Sequence, residues 1–279
     1  MTAGPRVGFV GAGQMGGPMV ERLLAAGLNV HLYARRAAVA ARFADLGAAV
    51  HDSLPDLARS AEIVIVCAFS DGQLWEIAAG DGGLLAAMPP ATILVNHTTG
   101  QVATLENLAA RARAHDVEVV DAPVSGTAGD ILAGRLTVLV GGTAAAIETC
   151  SPAVRAYAGT IVPTGPVGTA TKIKLINNAL FAANLQLTVD AMRVAEEMGV
   201  DPALVAGAVV HCSGNSYAMG KVDAMGWQPV VEQAMPYLVK DVGAVEQAAQ
   251  DLGVDLGVLG AVARGGSFAA HGEPHDTAS

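Results

Sequence analysis

Apolar residues along this chain follow two rhythms that change over near Gly168. In the first part, short runs rich in β-branched residues alternate with Ala-rich stretches. The runs are Arg6 to Val10, Asn29 to Tyr33, Ile63 to Cys67, Thr92 to Val95 and Val117 to Val120, and the stretches lie near Met15 to Ala26, Ala37 to Leu46 and Leu105 to Ala114. Strand-length apolar runs separated by helix-length segments predict βαβ units and a mostly parallel sheet. Gly27 and Gly47 stand where helices need a left-handed residue to stop them. After Gly134, the runs Thr137 to Val140 and Thr160 to Val162 flank a helix near Ala144 to Tyr157 and extend the same sheet.

Beyond Gly168 the strand signal ends. A helix of about thirty residues, ~45 Å at 1.5 Å per residue, runs from Thr169 to Met198, is closed by Gly199, and is followed by further helical segments. A boundary near Pro163 to Gly168 therefore divides the chain into an α/β domain, 1–164, and an all-helical domain, 165–279, joined by the long helix. Its apolar stretch Leu175 to Val189 is interrupted by Asn177, Asn178, Asn184 and Gln186, which predicts burial in protein and no membrane partner. The tail His271 to Ser279 is polar and expected to fray, and its two histidines have no partners for a metal.

Composition narrows the function. Apolar residues make up 52% of the 279 but aromatics only 4%, a mixture suited to tightly packed helices against a sheet. The formal charge is −10, with 16 Lys plus Arg against 26 Asp plus Glu and no basic run, which argues against a nucleic-acid partner. Cys67, Cys150 and Cys212 are odd in number and widely spaced, so neither a disulfide framework nor a metal cluster is expected, and a reducing cytoplasm fits best. Met1 to Pro5 has no export-signal design.

The string Gly11-Ala12-Gly13-Gln14-Met15-Gly16 directly follows the strand Val7 to Val10 and opens a helix. In that setting Gly11 makes the tight turn, Gly13 lets backbone approach a pyrophosphate, and Gly16 permits close helix packing, with the helix amides facing the phosphate charge. An NAD site would place Asp or Glu about twenty residues on, at the end of the second strand. This chain has Tyr33-Ala34-Arg35-Arg36 there. Guanidinium planes suit a 2′-phosphate, so NADP is favoured, with NAD possible. Ala68 and Phe69, after the run Ile63 to Cys67, join the cofactor set.

In the long helix Lys174 and Asn178 are four residues apart and share a face, whereas Lys172 points elsewhere. The neighbours are mostly Leu, Ile, Ala and Phe, and no further charge follows until Asp190, so Lys174 is expected to be buried. Desolvation disfavours the charged ammonium and suits it to exchange a proton with an alcohol, while an Asn amide orients the hydroxyl. A second segment, Asp121-Ala122-Pro123-Val124-Ser125-Gly126-Thr127, follows the strand ending at Val120. Ser125 with the amides of Gly126 and Thr127 is expected to form a small anion nest for a carboxylate.

Together these strings resemble the β-hydroxyacid dehydrogenase family. The match comprises Gly11 to Met19, Asp121 to Gly126, Gly165-Pro166-Val167-Gly168 leading to Lys174-Leu175-Ile176-Asn177-Asn178, and Lys240-Asp241. The resemblance implies a doubly wound Rossmann domain followed by an all-helical one, assembled as dimers or tetramers through the helical parts. It implies Lys174 as general acid/base, Ser125, Gly126 and Asn178 on the substrate, Thr99 near the nicotinamide, and Lys240 closing over the cofactor. Arg35 falls where an Arg in the family goes with NADP. Departures are Thr127 for a usual Gly, Ala170 for the Gly before the catalytic helix, and Asn96-His97-Thr98-Thr99 for the common Asp-x-Ser-Thr.

The function expected is therefore NADP-dependent hydride transfer on a 3-hydroxy acid or its semialdehyde. An imine or ketone reductase on the same scaffold is the alternative suggested by Asn96 to Thr99, and Lys174 disfavours it. A catalytically silent NADP-binding module is disfavoured by the joint presence of Lys174 and Asn178. The Ser213-Gly214-Asn215-Ser216 loop and Tyr217 are further candidates for substrate recognition, and His97 is expected to be structural.

Overall fold

A computed structural model describes residues 4–265, so the tail from His271 to Ser279 lies outside the described residues. The chain divides into two compact units, 1–174 and 175–279. The first is a mostly parallel sheet with helices on both faces. Its opening half runs β1 (Arg6–Val10), α1 (Gly16–Ala25), β2 (Asn29–Tyr33), α2 (Ala37–Asp45), β3 (Ala49–His51), α3 (Leu54–Ser60), β4 (Ile63–Val66) and α4 (Asp71–Ala79). The second half runs β5 (Ile93–Asn96), α5 (Val102–Arg113), β6 (Glu118–Asp121), β7 (Val124–Ser125), α6 (Ala128–Leu132), β8 (Leu136–Gly141), α7 (Ala144–Val154) and β9 (Ala158–Gly165).

The strand order is β3-β2-β1-β4-β5-β6-β8-β7, with β9 beside β8. Pairing is parallel from β3 through to β6, while β8 is antiparallel to β6 and β7 and parallel to β9. Alternation along the central strands explains the two layers. Ile63 and Ile65 face a core shared with Met19, Val20 and Leu23 of α1, Phe43 of α2 and Cys150 of α7. Val64 and Val66 face a second core with Leu57 of α3, Leu74 of α4, and Leu105 and Leu108 of α5. Burial on both faces is why these strands read as continuous apolar runs. The predicted strands and stops are present, and Gly27 and Gly47 hold φ of 74° and 100°. The short elements β3, α3, α4, β7 and α6 are additions to the sequence picture.

The helix α8 (Thr169–Glu197) leads into the second unit, which continues with α9 (Pro202–Val209), α10 (Tyr217–Met225), α11 (Trp227–Leu252) and α12 (Gly257–Arg264). Leu185, Val189 and Met192 of α8 pack with Ala206, Met219, Val222, Val230 and Leu238 in the core of this unit. Of the four polar breaks in the apolar stretch, Asn178 and Gln186 are buried, Asn184 is half-buried and Asn177 is exposed, so the expected burial holds for one side of the helix only. Elsewhere on α8, Ile176, Leu180, Leu187 and Val194 remain exposed. No helix among the described residues is long and apolar enough to cross a membrane.

Candidate active site

The cofactor-set residues of the first unit follow the carboxyl ends of adjacent parallel strands. Gly11 to Gly16 follow β1, Arg35 and Arg36 follow β2, Ala68 and Phe69 follow β4, and Thr99 follows β5. Chain order reverses between β1 and β4, the switch point outside which open α/β sheets bind ligands. Each motif glycine has its own reason. A Cβ on Gly11 would lie 2.1 Å from the Cys67 carbonyl oxygen, and one on Gly16 would lie 2.1 Å from the Gly11 oxygen. Around Gly13 nothing stands within 4 Å, so the absent side chain leaves open space beside the start of α1. The N-cap residue Met15 makes no side-chain cap hydrogen bond. The loop therefore fits a dinucleotide pyrophosphate: a tight turn, room for close approach, and the N-terminus of a helix behind it.

Arg35 and Arg36 are exposed, and among the described residues neither forms an ion pair. Arg36 occupies the N-cap of α2, whose first turn has no acidic residue. The loop after β4 is braced from the segment after β5 and from α4: the Ala68 amide donates to Thr98 Oγ1 at 3.0 Å, and the Phe69 amide donates to Gln73 Oε1 at 3.2 Å. Asn96 closes the turn that sets Thr98, accepting from its amide and donating to its carbonyl, both at 3.0 Å. The Phe69 ring is 63% exposed.

His97 is buried, and burial lowers its pKa to about 4, so the ring is neutral. A carbonyl only accepts, so Nδ1–H donates to the Ala122 oxygen at 2.5 Å, and Nε2 accepts from the Tyr157 hydroxyl at 2.7 Å. This structural histidine holds the segment that leads to Ser125. Ser125 is part of β7, opposite Thr137, a strand the sequence rhythm did not show. Thr127 caps α6 in a reciprocal box with Asp130, its amide donating to Asp130 Oδ2 at 2.9 Å and its hydroxyl at 2.7 Å. The expected anion nest does not include the Thr127 amide, because the Thr-x-x-Asp spacing turns that amide inward to the cap.

Lys174 and Asn178 lie one turn apart in α8. Lys174 is partly buried, short of the full burial expected, and Asn178 is buried. Lys172 points away, 3.9 Å from Glu106. Within the second unit Asn178 Nδ2 donates to Asp241 Oδ2 at 2.8 Å, and Asn177 Nδ2 donates to Asn178 Oδ1 at 3.2 Å. A carboxylate accepts only, so this contact fixes which end of the amide faces α11. Lys240, partly buried, precedes Asp241 on that helix. The orienting role of Asp241 was not assigned from sequence, although Lys240-Asp241 was the signal. Of the loop candidates, Ser216 caps α10, accepting from the Met219 amide at 3.1 Å, and Tyr217 is exposed, edge-on to Phe181 at 5.9 Å.

The family model described as the NAD binding domain of 6-phosphogluconate dehydrogenase matches residues 6–165. The model described as NAD-binding of NADP-dependent 3-hydroxyisobutyrate dehydrogenase matches residues 168–278. The chain is 30% identical to 3-hydroxyisobutyrate dehydrogenase of Pseudomonas aeruginosa, over 82% of this chain and 76% of that protein. It is 29% identical to the NAD-dependent L-serine dehydrogenase of the same organism, over 88% and 85%. A solved structure of Mycobacterium tuberculosis 3-hydroxyisobutyrate dehydrogenase with L-serine superposes with a TM-score of 0.83 at 25% identity, covering 93% of this chain and 91% of that one. With its glycine loop at the sheet's switch point and the two family models together matching residues 6–165 and 168–278, the chain belongs to the β-hydroxyacid dehydrogenase family, nicotinamide-dependent oxidoreductases acting on CH–OH groups.

Proposed function

We propose that this chain is an NADP-dependent dehydrogenase of a small 3-hydroxy acid, or reductase of the matching semialdehyde, with Lys174 as the general acid/base. The observation that carries the reading is Asn178, buried and clamped through Nδ2 by Asp241, one helical turn from Lys174. One Nδ2 hydrogen is committed to Asp241, and the second is left to donate to a substrate hydroxyl oxygen. Lys174 Nζ, neutral in the oxidising direction, takes the hydroxyl proton as the C–H bond gives up its hydride, and returns it in reduction. When bound, the nicotinamide accepts or supplies that hydride. Ser125 and Gly126 hold the substrate carboxylate, and Thr127 narrows the space beside it.

The NADP preference rests on Arg35 and Arg36, exposed and without an acidic partner at the end of β2, where an NAD site carries an acid. Gln14, Met15 and Ala12 line the loop, Ala68, Phe69 and Thr99 hold the nicotinamide half, and Lys240 is assigned to the cofactor on the family resemblance. The exposed apolar residues of α8 support a homodimer through the helical unit.

Purified protein with 3-hydroxyisobutyrate, L-serine and related 3-hydroxy acids is expected to reduce NADP+ faster than NAD+. Lys174→Ala is expected to lose turnover by about 100-fold or more while still binding cofactor; turnover that survives the substitution removes Lys174 from the mechanism. Arg35→Ala is expected to weaken NADP+ by about tenfold, the loss of one charge-assisted contact, and NAD+ hardly at all. Equal weakening of the two sinks the 2′-phosphate assignment.

A further inference from the structure

Asp121 is fully buried at the last position of β6, in register with Asn96 of β5 and Gly141 of β8. Its Oδ2 accepts from the Gly168 amide at 3.1 Å and the Thr171 amide at 2.9 Å, and its Oδ1 accepts from the Thr171 hydroxyl at 2.8 Å. These donors form the first turn of α8. The Gly168 carbonyl accepts the Lys172 amide at 3.0 Å, which makes Gly168 the N-cap residue. A glycine has no side chain to accept from the N3 amide, the task an N-cap Ser, Thr, Asp or Asn performs locally. Thr171 is N3, and its acceptor comes instead from Asp121, 50 positions back in the chain.

A local cap would stabilise the helix equally well without burying a carboxyl, whose desolvation here raises its pKa. What a local cap cannot do is relate the helix to the sheet. Close packing sets how near the two come: a Cβ on Gly141 would lie 2.7 Å from the Pro166 oxygen. Rotation of α8 about its axis needs directional bonds, and the two arms on Thr171 supply them. Lys174 follows one turn later. Its Nζ stands about 8 Å from the helix axis, so a rotation of about 10° moves it by about 1.4 Å, and a displacement near 1 Å at a reacting group can cost about 100-fold in rate.

We propose that Asp121 is a positioning residue that sets the rotation of α8 against the end of β6 and thereby aims Lys174 at the hydroxyl it deprotonates. The inference rests on the reading of Lys174 as general acid/base. In Asp121→Asn, the amide oxygen takes the place of Oδ2 and the NH2 donates to the Thr171 hydroxyl, so all three contacts persist without the charge.

Turnover of 3-hydroxyisobutyrate and L-serine with NADP+, amide hydrogen exchange, and the pH profile of Lys174 acylation by acetic anhydride test this in the full chain. Asp121→Ala is expected to lower kcat about 100-fold with the KM for NADP+ unchanged, and Asp121→Asn to restore most of it. Lys174→Ala/Asp121→Ala is expected to be no slower than Lys174→Ala alone. Should Asp121→Ala not fold, Thr171→Val removes one arm and is expected to lower kcat with KM unchanged. An unchanged kcat in the Ala variant, or in Thr171→Val if that variant stands in for it, overturns the proposal, as does an Asn variant as slow as Ala, or losses that multiply in the double variant. If Lys174→Ala itself turns over, or no substrate is turned over, the functional reading fails separately. Exchange and acylation then decide: faster exchange of the Gly168 and Thr171 amides with a displaced Lys174 profile supports the positioning role, and unchanged behaviour of either overturns it.

Discussion

Gly13 differs from the other glycines of its motif in what its missing side chain leaves behind. Gly11 and Gly16 are required by the fold, because a Cβ at either would strike backbone oxygen at 2.1 Å, whereas Gly13 faces open space. Gly13→Ala is therefore expected to melt with the wild-type protein and to lose cofactor affinity, since the new methyl occupies the volume a pyrophosphate enters. Gly16→Ala is expected to lose both. Calorimetry beside cofactor titration separates the two, and equal melting of both variants would contradict the close contacts. The placement of the motif glycines at the turn from β1 into α1, and of Lys174 and Asn178 one turn apart on one helix, was legible because spacing within one loop or helix carries it. His97 was expected to be structural and is, but the partners of His97, Asp121 and Asp241 were not legible: they lie 60, 50 and 63 positions away, and no local pattern marks such pairs.

At the scale of elements, the sequence rhythm located the central strands and the long helix, where apolar runs are long enough to show a period. It missed β3, a three-residue strand, and α6, a five-residue helix that depends on the Thr127–Asp130 box. The turn that joins β5 to its neighbours carries a pH dependence. His97 is held neutral between the Ala122 carbonyl and the Tyr157 hydroxyl, with a folded pKa of about 4 against 6.5 for the free side chain. The unfolded chain thus binds a proton first as pH falls, so stability is complete above about 6.5 and declines towards about 4, by roughly 3 kcal/mol from this group. Asp121 works in the opposite sense, since its raised pKa makes acidification favour the fold. Removing the imidazole isolates its share: His97→Phe is expected to be less stable at neutral pH but to lose less on going from pH 7 to pH 5. Parallel slopes in chemical denaturation across that range would show that His97 carries no such linkage.

For the whole molecule, the long helix matters on the side that the core of its own unit does not use. Ile176, Leu180, Leu187, Val194 and Met198 are 42% to 75% exposed. At about 100° per residue they fall within about 40° of one another, over a length of about 33 Å. A continuous apolar strip of this kind is rare on a monomer's surface and is the face on which a second copy of the chain is expected to seat. The seven-residue steps from Leu180 to Leu187 to Val194 are those at which one helix seats against another. A homodimer that covers this strip couples folding to association, so its melting temperature is expected to rise with protein concentration. Leu187→Glu places a carboxylate in the centre of the strip, where it is solvated in the monomer and desolvated in the dimer. The variant is expected to run as a monomer in light scattering, with native circular dichroism and a melting temperature independent of concentration. If it remains dimeric, the strip is not the interface; if the wild type is monomeric at every concentration, the exposed face of α8 serves the single chain and the helical unit is complete without a second copy.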